Sequence, residues 1–167
     1  MIKMKRLRAL LLTGVMTVTM ACGGTVMADE GKSQDTVPEV EAEITKVLEF
    51  AEGVSVPNAR FQFEITKVTE DAPDATIEDI TYSSDDETGD VAGGKYSIAK
   101  DSNIVFGTFP HAGEYVYTVT EKADTYKEAE NEDMIYSDAS YELHVYVIND
   151  DDGLTVDKIT AEKNGKK

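Results

Sequence analysis

From about residue 44 onward, apolar and polar side chains alternate with a period of two, which is the spacing of half-buried strands. Ile44, Lys46, Leu48 and Phe50 share one strand face, and Phe61, Phe63 and Ile65 alternate with Gln62, Glu64 and Thr66. A weaker strand is predicted from about Ile77 to Tyr82, followed by an acidic, glycine-containing loop from Ser83 to Gly94. Tyr96 to Ala99 and Ile104 to Phe106 are predicted as two short strands around an Asp101-Ser102-Asn103 turn. Tyr115, Tyr117, Val119 and Glu121 form one face of the next strand, and Tyr141, Leu143, Val145 and Val147 one face of another. Asn149 to Gly153 reads as a hairpin turn, because Asp-Gly accepts the left-handed backbone of tight hairpins. A last strand is expected from Leu154 to about Ala161. Lys122 to Asp133 has room for a helical turn but too few apolar residues for a packed helix. No segment sustains an apolar period of 3.6, and no internal repeat is present. The expected fold is one all-β domain, a β-sandwich.

The N-terminus breaks this pattern. Lys3, Lys5, Arg6 and Arg8 precede an apolar run from Ala9 to Ala21, and Val26-Met27-Ala28 lies just before Asp29-Glu30. A basic head, an apolar middle and small residues at the −3 and −1 positions are the marks of a secretory signal, with cleavage expected after Ala28. The run is too short and too interrupted for a membrane span, and none is expected in the mature chain. A rival reading makes Cys22 a lipoprotein cysteine, flanked by Ala21 and Gly23. Against it, Thr19 occupies the position where lipid-attachment signals usually carry an aliphatic residue. Residues 29–40 are polar, contain Pro38, and read as a flexible lead-in to the domain at 41–167.

Charge and cysteine content narrow the function. The 167 residues carry 16 Lys+Arg against 33 Asp+Glu, a net charge of −17. Removing residues 1–28 takes away four positive and no negative side chains, leaving 139 residues with a net charge of −21. Such a surface repels phosphate, so nucleic acid is excluded as a partner. The one cysteine, Cys22, leaves with the signal, so neither a disulfide framework nor a Cys/His catalytic pair is available to the mature chain. A secreted domain without disulfides must be held by its core, by metal, or by another covalent bond.

Two charged residues occupy faces that should be apolar. Lys46 lies between Ile44 and Leu48, and Glu121 continues the face of Tyr117 and Val119. Burying either charge alone is costly and favours its uncharged form. One reading is ordinary: both snorkel to solvent at strand ends or form an ion pair. The other uses burial as chemistry. A neutral lysine amine can attack the side-chain amide of an asparagine, and a protonated carboxylic acid can polarise that carbonyl and pass a proton to the departing ammonia. The product is an isopeptide bond between two strands, a staple independent of redox state.

Three segments carry a family resemblance. Ile44-Thr45-Lys46-Val47-Leu48, followed by Pro57-Asn58-Ala59-Arg60-Phe61-Gln62-Phe63, is the first. Gly113-Glu114-Tyr115-Val116-Tyr117-Thr118-Val119-Thr120-Glu121 is the second, and Tyr136-Ser137-Asp138 leading into Tyr141 to Val147 is the third. In order and spacing these resemble the streptococcal pilin isopeptide linkage domain (FctA-type) of Gram-positive, sortase-assembled pilins, over about Ile44 to Lys167. The resemblance implies an Ig-like (CnaB-like) β-sandwich, with Lys46 as the bond-forming lysine and Glu121 as the catalytic glutamate.

The family's asparagine lies on a final strand in a Phe-x-Asn context, which this sequence does not reach. Asn58, Asn103, Asn131 and Asn149 read as turn or loop residues, and Asn164, before Gly165, reads as a turn rather than as the acceptor. The expectation is therefore a fragment or truncated reading frame, or a last strand contributed by another molecule, and in either case a sandwich without its final strand and without an internal isopeptide bond. No sorting motif of the LPxTG kind is present in the sequence. By resemblance the partners are neighbouring pilin subunits joined by a sortase, and the location is the cell surface or cell wall. Lys166 and Lys167 correspond to the subunit-linking lysine of some relatives and equally read as solvated terminal charges. The same fold would also serve an adhesin that binds host protein or glycan through its loops.

The remaining signals are weaker. Asp85-Asp86-Glu87 and Asp150-Asp151-Asp152 lack the spacing of an EF-hand loop and read as solvated turns. His111 and His144 stand beside no nucleophile motif, and neither a phosphate loop nor Gly-x-Ser-x-Gly occurs. No cofactor, metal site or turnover chemistry is expected beyond a single autocatalytic event.

Overall fold

The computed structural model describes residues 7–10, 42–89, 91–126 and 132–163. Its strands are β1 (Leu7–Leu10), β2 (Ala42–Ala51), β3 (Ala59–Phe61), β4 (Phe63–Lys67), β5 (Ala75–Ile77), β6 (Ile80–Tyr82), β7 (Lys95–Phe106), β8 (Gly113–Glu121), β9 (Glu132–Ile135), β10 (Ser140–Asp150) and β11 (Gly153–Lys163). One sheet has the order β5-β7-β2-β1-β9 and the other β11-β10-β8-β4, while β3 and β6 form a separate ribbon. The fold is an all-β sandwich, with no helix among the described residues.

The alternation read from the sequence becomes the division between core and solvent. Along β2 every second residue is buried, from Ala42 through Ile44, Lys46 and Leu48 to Phe50. Tyr115, Tyr117 and Val119 of β8 and Leu143, Val145 and Val147 of β10 point inward from the opposite sheet. The interior has two apolar clusters. Ile44 packs with Tyr115, Tyr117, Leu143 and Val145 in one, and Leu48 and Phe50 pack with Phe61, Ile80 and Tyr82 in the other. Lys46 falls between Ile44 and Leu48, at the junction of the two clusters.

Four local expectations need correction. The Asp101-Ser102-Asn103 turn does not exist, because β7 runs unbroken and pairs with β2 from Ile104↔Ala42 to Lys95↔Ala51. A full antiparallel ladder outweighs the turn preference of three polar residues, and Ser102 faces inward, its hydroxyl donating to the Glu78 carbonyl at 2.8 Å. The strand expected through Phe61, Phe63 and Ile65 divides at Gln62: β3 pairs with β6, and β4 with β8. The strand expected over Ile77 to Tyr82 divides in the same way into β5, on β7, and β6, on β3. The hairpin is tighter than expected, since Asp150 pairs with Gly153 and only Asp151 and Asp152 form the loop. Between Lys122 and Asp133 the described residues show a turn at Ala123 and Asp124 and the start of β9. Residues 127–131 lie outside those described.

The two sheet changes matter for the centre of the molecule. They bring the β3–β6 ribbon against the inward face of β2, so Phe61 and Tyr82 cover Lys46 from one side. Among the described residues no helix is long and apolar enough to cross a membrane.

Candidate functional site

Lys46 and Glu121 come from opposite sheets, Lys46 from the middle of β2 and Glu121 from the last position of β8. Both side chains are only 3% exposed. Strand alternation puts both on inward faces, where they pair with each other and neither snorkels to solvent. Nζ of Lys46 donates to Oε1 of Glu121 in a short charged hydrogen bond. The second carboxylate oxygen, Oε2, accepts from the backbone N–H of Ser137 at 2.9 Å. Both glutamate oxygens are thus held, one by the amine and one by the chain that leads into β10.

The remaining walls position the lysine. Nζ lies 3.9 Å from the centre of the Phe61 ring, whose face attracts a cation without offering it a lone pair. Tyr82 donates its hydroxyl to the backbone carbonyl of Lys46 at 2.7 Å, anchoring β2 at this residue. Burial pushes the Lys46 ammonium down from its ordinary value to about 8, against the opposing pull of Glu121. A substantial fraction of this amine is therefore uncharged under mildly alkaline conditions, which is the form with a nucleophilic lone pair. The same burial pushes the Tyr82 hydroxyl upward, so it remains a donor.

A cavity opens beside the pair. Lys46, Glu121, Ser137, Ala139, Tyr141 and Phe63 contribute to its walls. None of the described asparagines lines it. Asn58 accepts weakly from the Ser84 N–H at 3.4 Å, Asn103 is exposed on β7, and Asn149 is exposed near the β10–β11 hairpin. Ala28, Cys22, Asn131, Asn164, Lys166 and Lys167 lie outside the described residues.

The acidic runs are held as turns. Asp86 pairs with Lys100 at 2.7 Å and accepts from the Ser83 N–H, and Asp150 accepts from the Asp152 N–H at 2.9 Å.

A buried amine clamped by a carboxylate thus stands beside a cavity at the meeting of the two sheets. A scan against family models matches residues 42–167 to FctA, the Spy0128-like isopeptide containing domain. The chain belongs to this family. A search of curated proteins finds no match. The FctA match covers β2 to β11 and hence both members of the buried pair.

Three partners of the pair in this FctA domain were not identified from sequence. Ser137 acts through a backbone N–H, which any residue supplies, although its segment was among those that carried the resemblance. Phe61 belongs to an alternating apolar row, but nothing in the sequence shows that its ring lies against Nζ. Tyr82 closes the set from β6, whose pairing with β3 depends on the unanticipated division at Gln62.

Proposed function

We propose that this protein is a secreted structural subunit of the bacterial cell surface, a pilin or pilin-like stalk domain, in which Lys46 and Glu121 are the bond-forming pair. The observation that carries this reading is the burial of the two side chains against each other beside a cavity lined by no described asparagine. Such a pair contributes little to stability compared with apolar residues of the same volume. Its retention is accounted for by chemistry.

The reaction is a single amide exchange. The uncharged Nζ of Lys46 attacks the side-chain carbonyl carbon of an asparagine. Glu121, having taken the Lys46 proton across their hydrogen bond, donates a hydrogen bond to the amide oxygen and then passes a proton to the departing nitrogen. An N–C bond forms, the C–NH2 bond breaks, and one ammonia leaves. The proton lost by the amine on attack returns to Glu121, so the carboxyl group ends the exchange protonated, as it entered it.

The asparagine is supplied by a strand laid along β2. In the first sheet the place between β2 and β9 is held by β1, whose residues fall within the expected leader. Cleavage after Ala28 would free that place for a strand carrying Phe-x-Asn. Pilin neighbours joined by a sortase, and Lys166 or Lys167 as the linking lysine, belong to the same reading.

The test is to mix the mature chain with a synthetic strand peptide containing Phe-x-Asn and record intact mass. The expected product is a one-to-one adduct lighter than the two components by one ammonia, lost in Lys46→Ala and Glu121→Ala. Failure of the parent chain to form any adduct would overturn the assignment.

A further inference from the structure

The outer face of the second sheet carries a cluster unrelated to the buried pair. With Leu143 and Val145 turned inward on β10, Glu142 and His144 point outward, and the register places Glu142 opposite Glu162 of β11. One donor atom from each of Glu142, His144 and Glu162 lies within 4.8 Å of the other two. On the other side of the ring, Nδ1 of His144 is 2.7 Å from Oε1 of Glu114 on β8. Three adjacent strands therefore converge on a single imidazole.

We propose that Glu142, His144 and Glu162 bind a divalent transition-metal ion of the zinc type, with Glu114 orienting the histidine. The first argument is the span between donors. Nε2 of His144 and Oε1 of Glu142 are 3.1 Å apart. Two ligands each about 2.0–2.1 Å from a tetrahedral ion lie roughly 3.3 Å from one another, so an ion bridges this pair with little movement. The second argument is the ring's orientation. Both ring nitrogens face carboxylates, Nδ1 that of Glu114 and Nε2 that of Glu142. With Nδ1–H donating to Glu114, Nε2 gives its lone pair to an ion that replaces the proton shared with Glu142, and this carboxylate–histidine arrangement is the usual support of a metal-bound imidazole. The third is donor type. One nitrogen and two carboxylates select zinc or a neighbouring transition ion over calcium, which prefers oxygen throughout.

Short-range motifs do not reveal this site, because Glu162 reaches Glu142 only through the β10–β11 register. Loading would fasten β11 to β10 near the far end of the last described strand. Lys158, one register pair away, lies over the Tyr146 ring, 4.5 Å from its centre, and faces the same surface without entering the cluster.

Zinc sulfate is titrated calorimetrically into the untagged chain, with calcium chloride as the comparison. One saturable zinc site per chain with micromolar affinity is expected, together with a higher melting temperature in zinc. Binding should weaken at least ~100-fold in His144→Ala and in Glu162→Gln, and about 10–100-fold in Glu114→Gln, which removes only the orienting carboxylate. All three side chains are on the outer face, and melting in metal-free buffer confirms that each variant folds. The His144 ring protons, followed by NMR, should shift on addition of zinc. Absence of a saturable site, zinc affinity unchanged in His144→Ala, or calcium binding as tight as zinc would overturn the proposal.

Discussion

Lys46 shows why a single misplaced charge can be more informative than a long motif. In a strand whose other inward positions are Ala42, Ile44, Leu48 and Phe50, a buried lysine is tolerated only because Glu121, the Phe61 ring and the surrounding strands hold it. Removing one partner leaves an uncompensated buried charge. Glu121→Ala should therefore lower unfolding stability by about 3–5 kcal/mol, whereas the double variant Lys46→Met, Glu121→Leu should recover the parent value or exceed it. Guanidinium midpoints decide this, and a double variant as weak as the single one would show that the pair has a structural role instead.

The pH dependence belongs to the same residue. The folded-state value of Lys46 is about 8, below the ordinary 10.5, so between those limits the unfolded chain binds more protons than the folded one. Stability should rise with pH across that window. The full shift corresponds to about 3 kcal/mol, only part of which is gained by pH 10. Above pH 10 the direction reverses, because Tyr82 is pushed upward and Tyr117 to about 12, so both stay protonated when the unfolded chain's tyrosines ionise. Comparison with Lys46→Met isolates the lysine: the parent should gain on the variant between pH 8 and pH 10. Parallel curves would contradict the assigned shift.

Individual strands show which features could be read from sequence and which could not. The inward faces of β2, β8 and β10 were legible because half-buried strands impose a strict period of two, and one residue of slippage would expose the whole set. That regularity also exposed Lys46 and Glu121, as polar interruptions of apolar rows. The division at Gln62 was not legible, since alternation continues through it and only the pairing partner changes, whereas at Glu78-Asp79 two consecutive polar residues shift the inward positions from Ala75 and Ile77 to Ile80 and Tyr82. Ser102 misled for a related reason: its hydroxyl suits a turn, but here it is 8% exposed within a continuous strand and donates to Glu78. The cavity beside the pair is lined from β2, β4, β8 and the approach to β10, a convergence that alternation along single strands does not give.

The β10–β11 hairpin carries a prediction of its own. Gly153 has φ of 124° with open space where a Cβ would stand, so its replacement is limited by backbone strain and not by collision. Gly153→Ala should cost about 1–2 kcal/mol in urea unfolding. A neutral substitution would mean that the two-residue loop relaxes freely.

Taken whole, the molecule is an acidic sandwich, net charge −17, whose two sheets meet at the buried Lys46–Glu121 ion pair. The core supplies ordinary packing from aromatic and aliphatic residues on both sheets. In the proposed function the pair is where β2 is joined covalently to the added strand, in keeping with a family described as an isopeptide containing domain. Proteolysis of the peptide adduct followed by tandem mass spectrometry tests that account most directly. It predicts one branched fragment, in which the Lys46 side chain is linked to the asparagine of the added strand and one ammonia has been lost. Linkage to a surface lysine such as Lys67 or Lys95, or an adduct that persists in Glu121→Ala, would contradict it.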